Sequence, residues 1–90
     1  MGESDGISEA TLRELIESGA VRAITVVGQG SGWAVQAEVG MRRRTLRSVR
    51  APIRWWKSMD RLTRWLRSDL GVSEWTVDAR HYHPGQRNTV

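Results

Sequence analysis

Between residues 33 and 39 apolar side chains recur at every second position, with Trp33, Val35, Ala37 and Val39 on one side and Ala34, Gln36 and Glu38 on the other. Between residues 59 and 70 the spacing lengthens, and Met59, Leu62, Leu66 and Leu70 fall on one helical face. The first period is that of a half-buried strand in an antiparallel sheet; the second is that of a helix lying on a core. A chain of 90 residues has room for one small domain. At this size only about 60 to 65% of the unfolded surface is removed from water, so a sheet and one well-striped helix exhaust the core.

The flanking segments extend this frame. Thr11-Leu-Arg-Glu14 reads as a capping box opening a short first helix, striped by Leu12, Leu15 and Ile16 and stopped at Gly19. Ser8 is an alternative cap one turn earlier. Val21 to Val27 predicts a strand and Gly28 to Gly32 a loop; Gly40-Met41 predicts a tight hairpin and Arg42 to Val49 a third strand. Ala51-Pro52 interrupts, and Ile53 to Lys57 reads as a short fourth strand. Ser58 is the expected cap of the second helix, Gly71-Val72 its expected Schellman stop, and Glu74 to Ala79 the last strand. The expected fold is therefore α+β: a small antiparallel sheet, made of a three-stranded meander plus two short strands, packed against one amphipathic helix, with a short N-terminal helix. Residues 1–10 are expected as a flexible acidic N-terminus, 11–80 as the domain and 81–90 as a tail.

Several chemistries find no footing. The chain has no cysteine, which excludes disulfide frameworks, zinc ribbons and thiol nucleophiles. No apolar run nears the roughly 18 residues of a membrane helix, and Met1-Gly-Glu-Ser-Asp5 is acidic where a signal peptide is basic. A soluble, cytoplasmic protein without a membrane partner is expected. The Gly28, Gly30, Gly32 loop precedes a strand rather than a helix, so it reads as a hairpin and not a phosphate cradle. His81, His83 and Asp78 are too few and too scattered for a metal site. No paired carboxylates and no nucleophile elbow are present, so the expectation is a non-enzymatic protein with neither cofactor nor metal.

Charge placement is more informative than the net charge of +4. Residues 1–20 hold five acids against Arg13, whereas residues 42–67 hold ten cations against Asp60. Thirteen of the fourteen cations are Arg, whose planar fork suits phosphates. Arg42, Arg43, Arg44, Arg47 and Arg54 on the third strand and its exit, with Arg61 and Arg64 on the helix, are the candidate nucleic-acid contacts. Trp55 and Trp56 face opposite sides if their segment is extended, so one of them is hard to bury. Trp55 is the candidate for stacking on a base, and Trp56 the candidate anchor for a protein partner or a second copy in a homodimer.

Thr11-Leu-Arg-Glu-Leu15, Gly19-Ala-Val-Arg22, Gly32-Trp-Ala-Val35, Ser58-Met-Asp60, Leu70-Gly-Val72 and Tyr82-x-Pro84-Gly85, together with Leu46, Arg50, Arg54, Leu66 and Val77-Asp78, resemble the small ParC-type partition-associated proteins. The topoisomerase subunit of the same name is unrelated. The resemblance implies an accessory role in maintaining plasmids or integrative elements, beside partition proteins, with DNA as the expected polyanion. It brings no catalytic residue. This chain departs from the pattern at Trp55-Trp56, where a single Phe is expected, and in lacking a longer basic segment after Val90.

Overall fold

A computed structural model describes residues 5–85. The elements run β1 (Asp5–Ile7), α1 (Glu9–Glu17), β2 (Val21–Gly30), β3 (Gly32–Val39), β4 (Arg42–Leu46), α2 (Met59–Ser68) and β5 (Thr76–Tyr82). The five strands form one sheet in the order β1-β4-β3-β2-β5. The architecture is α+β, as the two periods require.

The sheet is mixed, which corrects the expectation of a purely antiparallel one. β2 pairs with β3 and β3 with β4 antiparallel, but β1 lies parallel to β4 and β5 parallel to β2. Tight hairpins join the three central strands, whereas β2 and β5 are each entered through a helix, and a helical crossover delivers its strand parallel. The two crossovers, β1-α1-β2 and β4-α2-β5, step across the sheet in the same direction. Right-handed crossovers then lay both helices on the same face. Leu12 of α1 and Leu62 and Leu66 of α2 accordingly share one core with Ile24, Val26, Val35, Ala37 and Leu46. Fully burying a leucine contributes about 1.5 to 3 kcal/mol, so these helix residues are a large part of a marginal domain's stability. Thr25, Gln36, Glu38, Arg43 and Thr45 alternate with the core positions and line the opposite sheet face, which neither helix covers.

Several boundaries move; β2 runs on to Gly30 and β4 stops at Leu46 instead of Val49. The acidic start enters the fold at Asp5: Gly6 and Ile7 pair with Thr45 and Leu46, and Ile7 is 2% exposed. Ser8 caps α1, its Oγ accepting the Thr11 N–H at 3.2 Å, so Thr11 is a first-turn residue and not the cap. At the other end β5 runs through His81 and Tyr82, which the sequence assigns to the tail; residues 86–90 of that tail lie outside the described residues. The segment 53–57 is not a strand but touches the sheet through one bridge, Trp33 to Trp56.

The helix ends follow their chemistry. Ser58 Oγ accepts the Arg61 N–H at 3.1 Å, and the Asp60 carboxylate sits in the first turn of α2 near the positive end of its dipole. Gly19, at φ 80°, closes α1 as a Schellman motif: Ala20 N–H donates to Leu15 O and Gly19 N–H to Ile16 O. The end of α2 is wider than that motif, with Val72 N–H reaching Leu66 O and Leu70 N–H reaching Trp65 O, while Gly71 takes φ 71°.

Candidate functional site

Because β1, β2, β4 and β5 all run the same way, their C-terminal ends meet at one end of the sheet. That end also holds the β2–β3 hairpin, the starts of both helices and the connection from β4 to α2. Open sheets with helical crossovers assemble their sites from the connections at such an end. Here the connection 47–58 brings Arg47, Arg50, Arg54, Trp55 and Lys57, and the first turn of α2 adds Arg61.

These cations are not equivalent. Arg54 is held: its guanidinium lies 4.4 Å from the Trp56 ring centroid, its Nη1 is 3.8 Å from Glu9 Oε1, and its backbone N–H donates to Leu46 O. Arg64 is paired with Asp60 at 2.8 Å across one helical turn. Arg47, Arg50, Lys57 and Arg61 have no side-chain ion pair or hydrogen bond among the described residues. The acids at this end are engaged, Glu9 by Arg13 at 2.8 Å as well as by Arg54. The result is four unneutralised positive charges on one end of the molecule.

The remaining sequence candidates lie elsewhere. Arg42 and Arg43 begin β4, at the opposite end of the strand, and Arg43 projects from the uncovered sheet face across from Glu38. Arg44, opposite Ala37 and therefore on the helix side, donates from Nη2 to Gly6 O at 3.2 Å while its Nε is buried without a partner. Arg47 leans over Gly6, where an added Cβ would stand 3.1 Å from the Arg47 Cδ. The basic tract, continuous in sequence, is thus divided between two ends and two faces.

The two adjacent tryptophans separate as an extended segment requires, Trp55 outward and Trp56 inward. Trp33 N–H donates to Trp56 O and Trp56 N–H to Trp33 O, both at 2.8 Å, and this paired bridge turns Trp56 inward to 8% exposure. Its indole packs against Trp65 with centroids 5.0 Å apart. Trp56 is therefore a core residue, which corrects its assignment as an exposed anchor for a partner. Trp55 is turned outward and remains 47% exposed. It lines an open cavity of about 360 Å³ with Gln29, Gly30, Ser31, Gly32 and Lys57. A second, larger cavity of about 460 Å³ lies between Arg47, Arg54 and the start of α1.

Sequence reasoning passed over three features of this end. Arg50 and Lys57 stood in the basic tract but were not singled out, because only the topology shows that they share an end with Arg47 and Arg61. Gly28, in the segment whose glycines predict a loop, lies in β2, and its missing side chain makes room for the Trp33–Tyr82 stack, whose centroids are 4.1 Å apart. Among the described residues no group of three His, Asp or Glu comes together as a metal would require, and no helix is long and apolar enough to cross a membrane. Asp78 instead accepts from Arg80 Nε at 3.0 Å and Nη2 at 2.8 Å, and these bonds hold its carboxyl far below the ordinary carboxylate range.

No curated protein and no solved structure matches the chain. A family pattern does: the ParC-like family matches residues 7–86, from the buried end of β1 to just beyond β5. Nearly the whole chain is spanned, which bears out the resemblance carried by the helix caps, the Gly32-Trp-Ala-Val35 strand and the Tyr82-x-Pro84-Gly85 turn: this protein belongs to the ParC-like family.

Proposed function

We propose that this ParC-like protein is a non-enzymatic accessory of mobile-DNA partition or maintenance that contacts nucleic acid with the end of the sheet bearing Arg47, Arg50, Lys57 and Arg61. The observation that carries the reading is their shared position without an acidic partner, while the neighbouring acids Glu9 and Asp60 are already engaged. A mixed, solubilising surface would pair each of these cations with an acid. Cations left unpaired neutralise phosphates and release their counterions. Arg43, at the far end of β4, is a weaker contributor on this reading, and Arg54 acts by positioning the connection rather than by meeting phosphate.

The test is a salt titration of binding to a short duplex. Four phosphate contacts give a slope of log K against log salt of about −3.6, and Arg47→Ala with Arg50→Ala flattens it by about 2, whereas Arg43→Ala leaves it nearly unchanged. Absence of binding at about 50 mM salt removes the reading.

A second reading, a module that binds a partition protein or itself, is favoured by one observation. The outer edge of β5 pairs with no strand among the described residues, and Val77 on it is exposed. A peptide strand could add there. On this reading sedimentation detects self-association or partner binding that salt does not weaken.

A further inference from the structure

We infer that Trp55, seated on Gly32 beside Lys57, is a stacking platform for one unpaired base of a single-stranded nucleic acid. This rests on the reading that the same end binds nucleic acid, and adds a preference for strand state that phosphate contacts alone do not give.

The platform is held rather than loose. The paired 2.8 Å bonds between Trp33 and Trp56 fix the backbone one residue after Trp55. The indole rests on backbone: a Cβ added to Gly32 would lie 3.3 Å from its Cε3 and 3.9 Å from its Cδ2. Any side chain at residue 32 would lift the ring. Gly30, at φ 60°, turns the hairpin beneath it. The outward part of the indole has no ring or cation partner among the described residues, whereas Trp33 and Trp56 have theirs. An aromatic so supported meets a flat ligand with little further loss of conformational freedom.

The surroundings narrow the ligand's chemistry. The cavity of about 360 Å³ is at the small end of ligand sites, which run from about 300 to 1,000 Å³, and fits one nucleotide rather than the end of a helix. No acid lines it; Lys57 supplies a cation for a phosphate, and Gln29 and Ser31 supply donors and acceptors for a base edge. A flat, anionic ligand is complementary. In a duplex the faces of the bases are already stacked, so only an unpaired base can use the indole.

Three DNA probes of about 10 nucleotides decide the matter by fluorescence anisotropy: oligothymidine, the same strand made abasic at every position, and a duplex. The parent binds oligothymidine about 10-fold more tightly than the abasic strand, Trp55→Ala removes that difference while leaving the duplex affinity within about twofold, and Trp55→Phe retains most of it. Equal binding of base-bearing and abasic strands by the parent overturns the inference; if the duplex still shows its salt slope, the nucleic-acid reading survives that failure. Equal losses on all three probes in Trp55→Ala overturn it as well, since they assign Trp55 a structural role. Binding of polyglutamate that depends on Trp55, without any base dependence, overturns it in favour of an acidic peptide.

Discussion

Arg54 places its guanidinium 4.4 Å from the ring centroid of Trp56 and 5.8 Å from that of Trp65. The guanidinium thus lies against both indoles of the tilted Trp56–Trp65 pair, beside a ring that the Trp33 bridge has already turned inward. Trp56→Ala is expected to cost about 3 to 5 kcal/mol, the range for emptying a large aromatic site. The Arg54–Trp56 coupling, from a double-mutant cycle in urea, is expected at about 0.5 to 1 kcal/mol because the cation is partly exposed. A Trp56→Ala variant that keeps the parent's midpoint would return that residue to the surface.

Gly28 isolates a different physical effect. Its φ is not positive, so a side chain is refused only by space: an added Cβ would stand 2.7 Å from both Trp33 Cζ3 and Tyr82 Cβ. Gly28→Ala is expected to lose about 1 to 3 kcal/mol through overpacking and to change the near-ultraviolet circular dichroism of the Trp33–Tyr82 stack. Gly30→Ala faces open space and pays only for φ 60°, about 1 kcal/mol, with the aromatic signal kept.

Those two sites also show what the sequence could and could not reveal. Local periodicity marked β3 and α2 because each carries its own apolar face, and the caps at Ser58 and Gly19 follow from residue chemistry at adjacent positions. Pairing partners leave no such local mark. β1 is three residues long, too short to show a period, and becomes a strand only because β4 offers it an edge. Gly28 looked like loop because a strand glycine is legible only once Tyr82, 54 positions later, is known to lie over it. For the candidate site, the basic tract and the divergence of Trp55 and Trp56 were visible in one dimension. Which tryptophan faces inward depends on a hydrogen-bonded bridge to Trp33, and which cations gather depends on strand direction; neither is written in the tract itself.

Asp78 gives the fold an acid dependence of known sign. Its two-pronged bond to Arg80, with the Arg80 backbone N–H also donating, holds the folded carboxyl below its unfolded value of about 3.8. A depressed carboxylate stabilises the fold above the unfolded pKa, and that contribution is lost as pH falls through the unfolded value and below it. Asp78→Asn is therefore expected to lower the melting temperature at pH 7 by a small amount, since the pair is exposed, and by less at pH 2, where part of the contribution is already lost. A gap that stays constant between those pH values would separate the Asp78 side chain from the acid limb.

The N-terminal strand supplies the sharpest contrast between a disordered and a folded start. Ile7 is 2% exposed, its C=O accepts the Arg47 N–H at 3.0 Å, and it pairs with Leu46 in register. Ser8 follows at once as the cap of α1, so a single turn of chain ties the sheet edge to the helix. Ile7→Ala is expected to cost about 2 to 5 kcal/mol, and Ser8→Ala about 1 kcal/mol, in chemical denaturation. Loss of β1 would also free the backbone that receives Arg47, so Ile7→Ala should weaken duplex binding at temperatures well below the melt. An Ile7→Ala protein with the parent's stability would detach β1 from the core and leave the sheet with four strands.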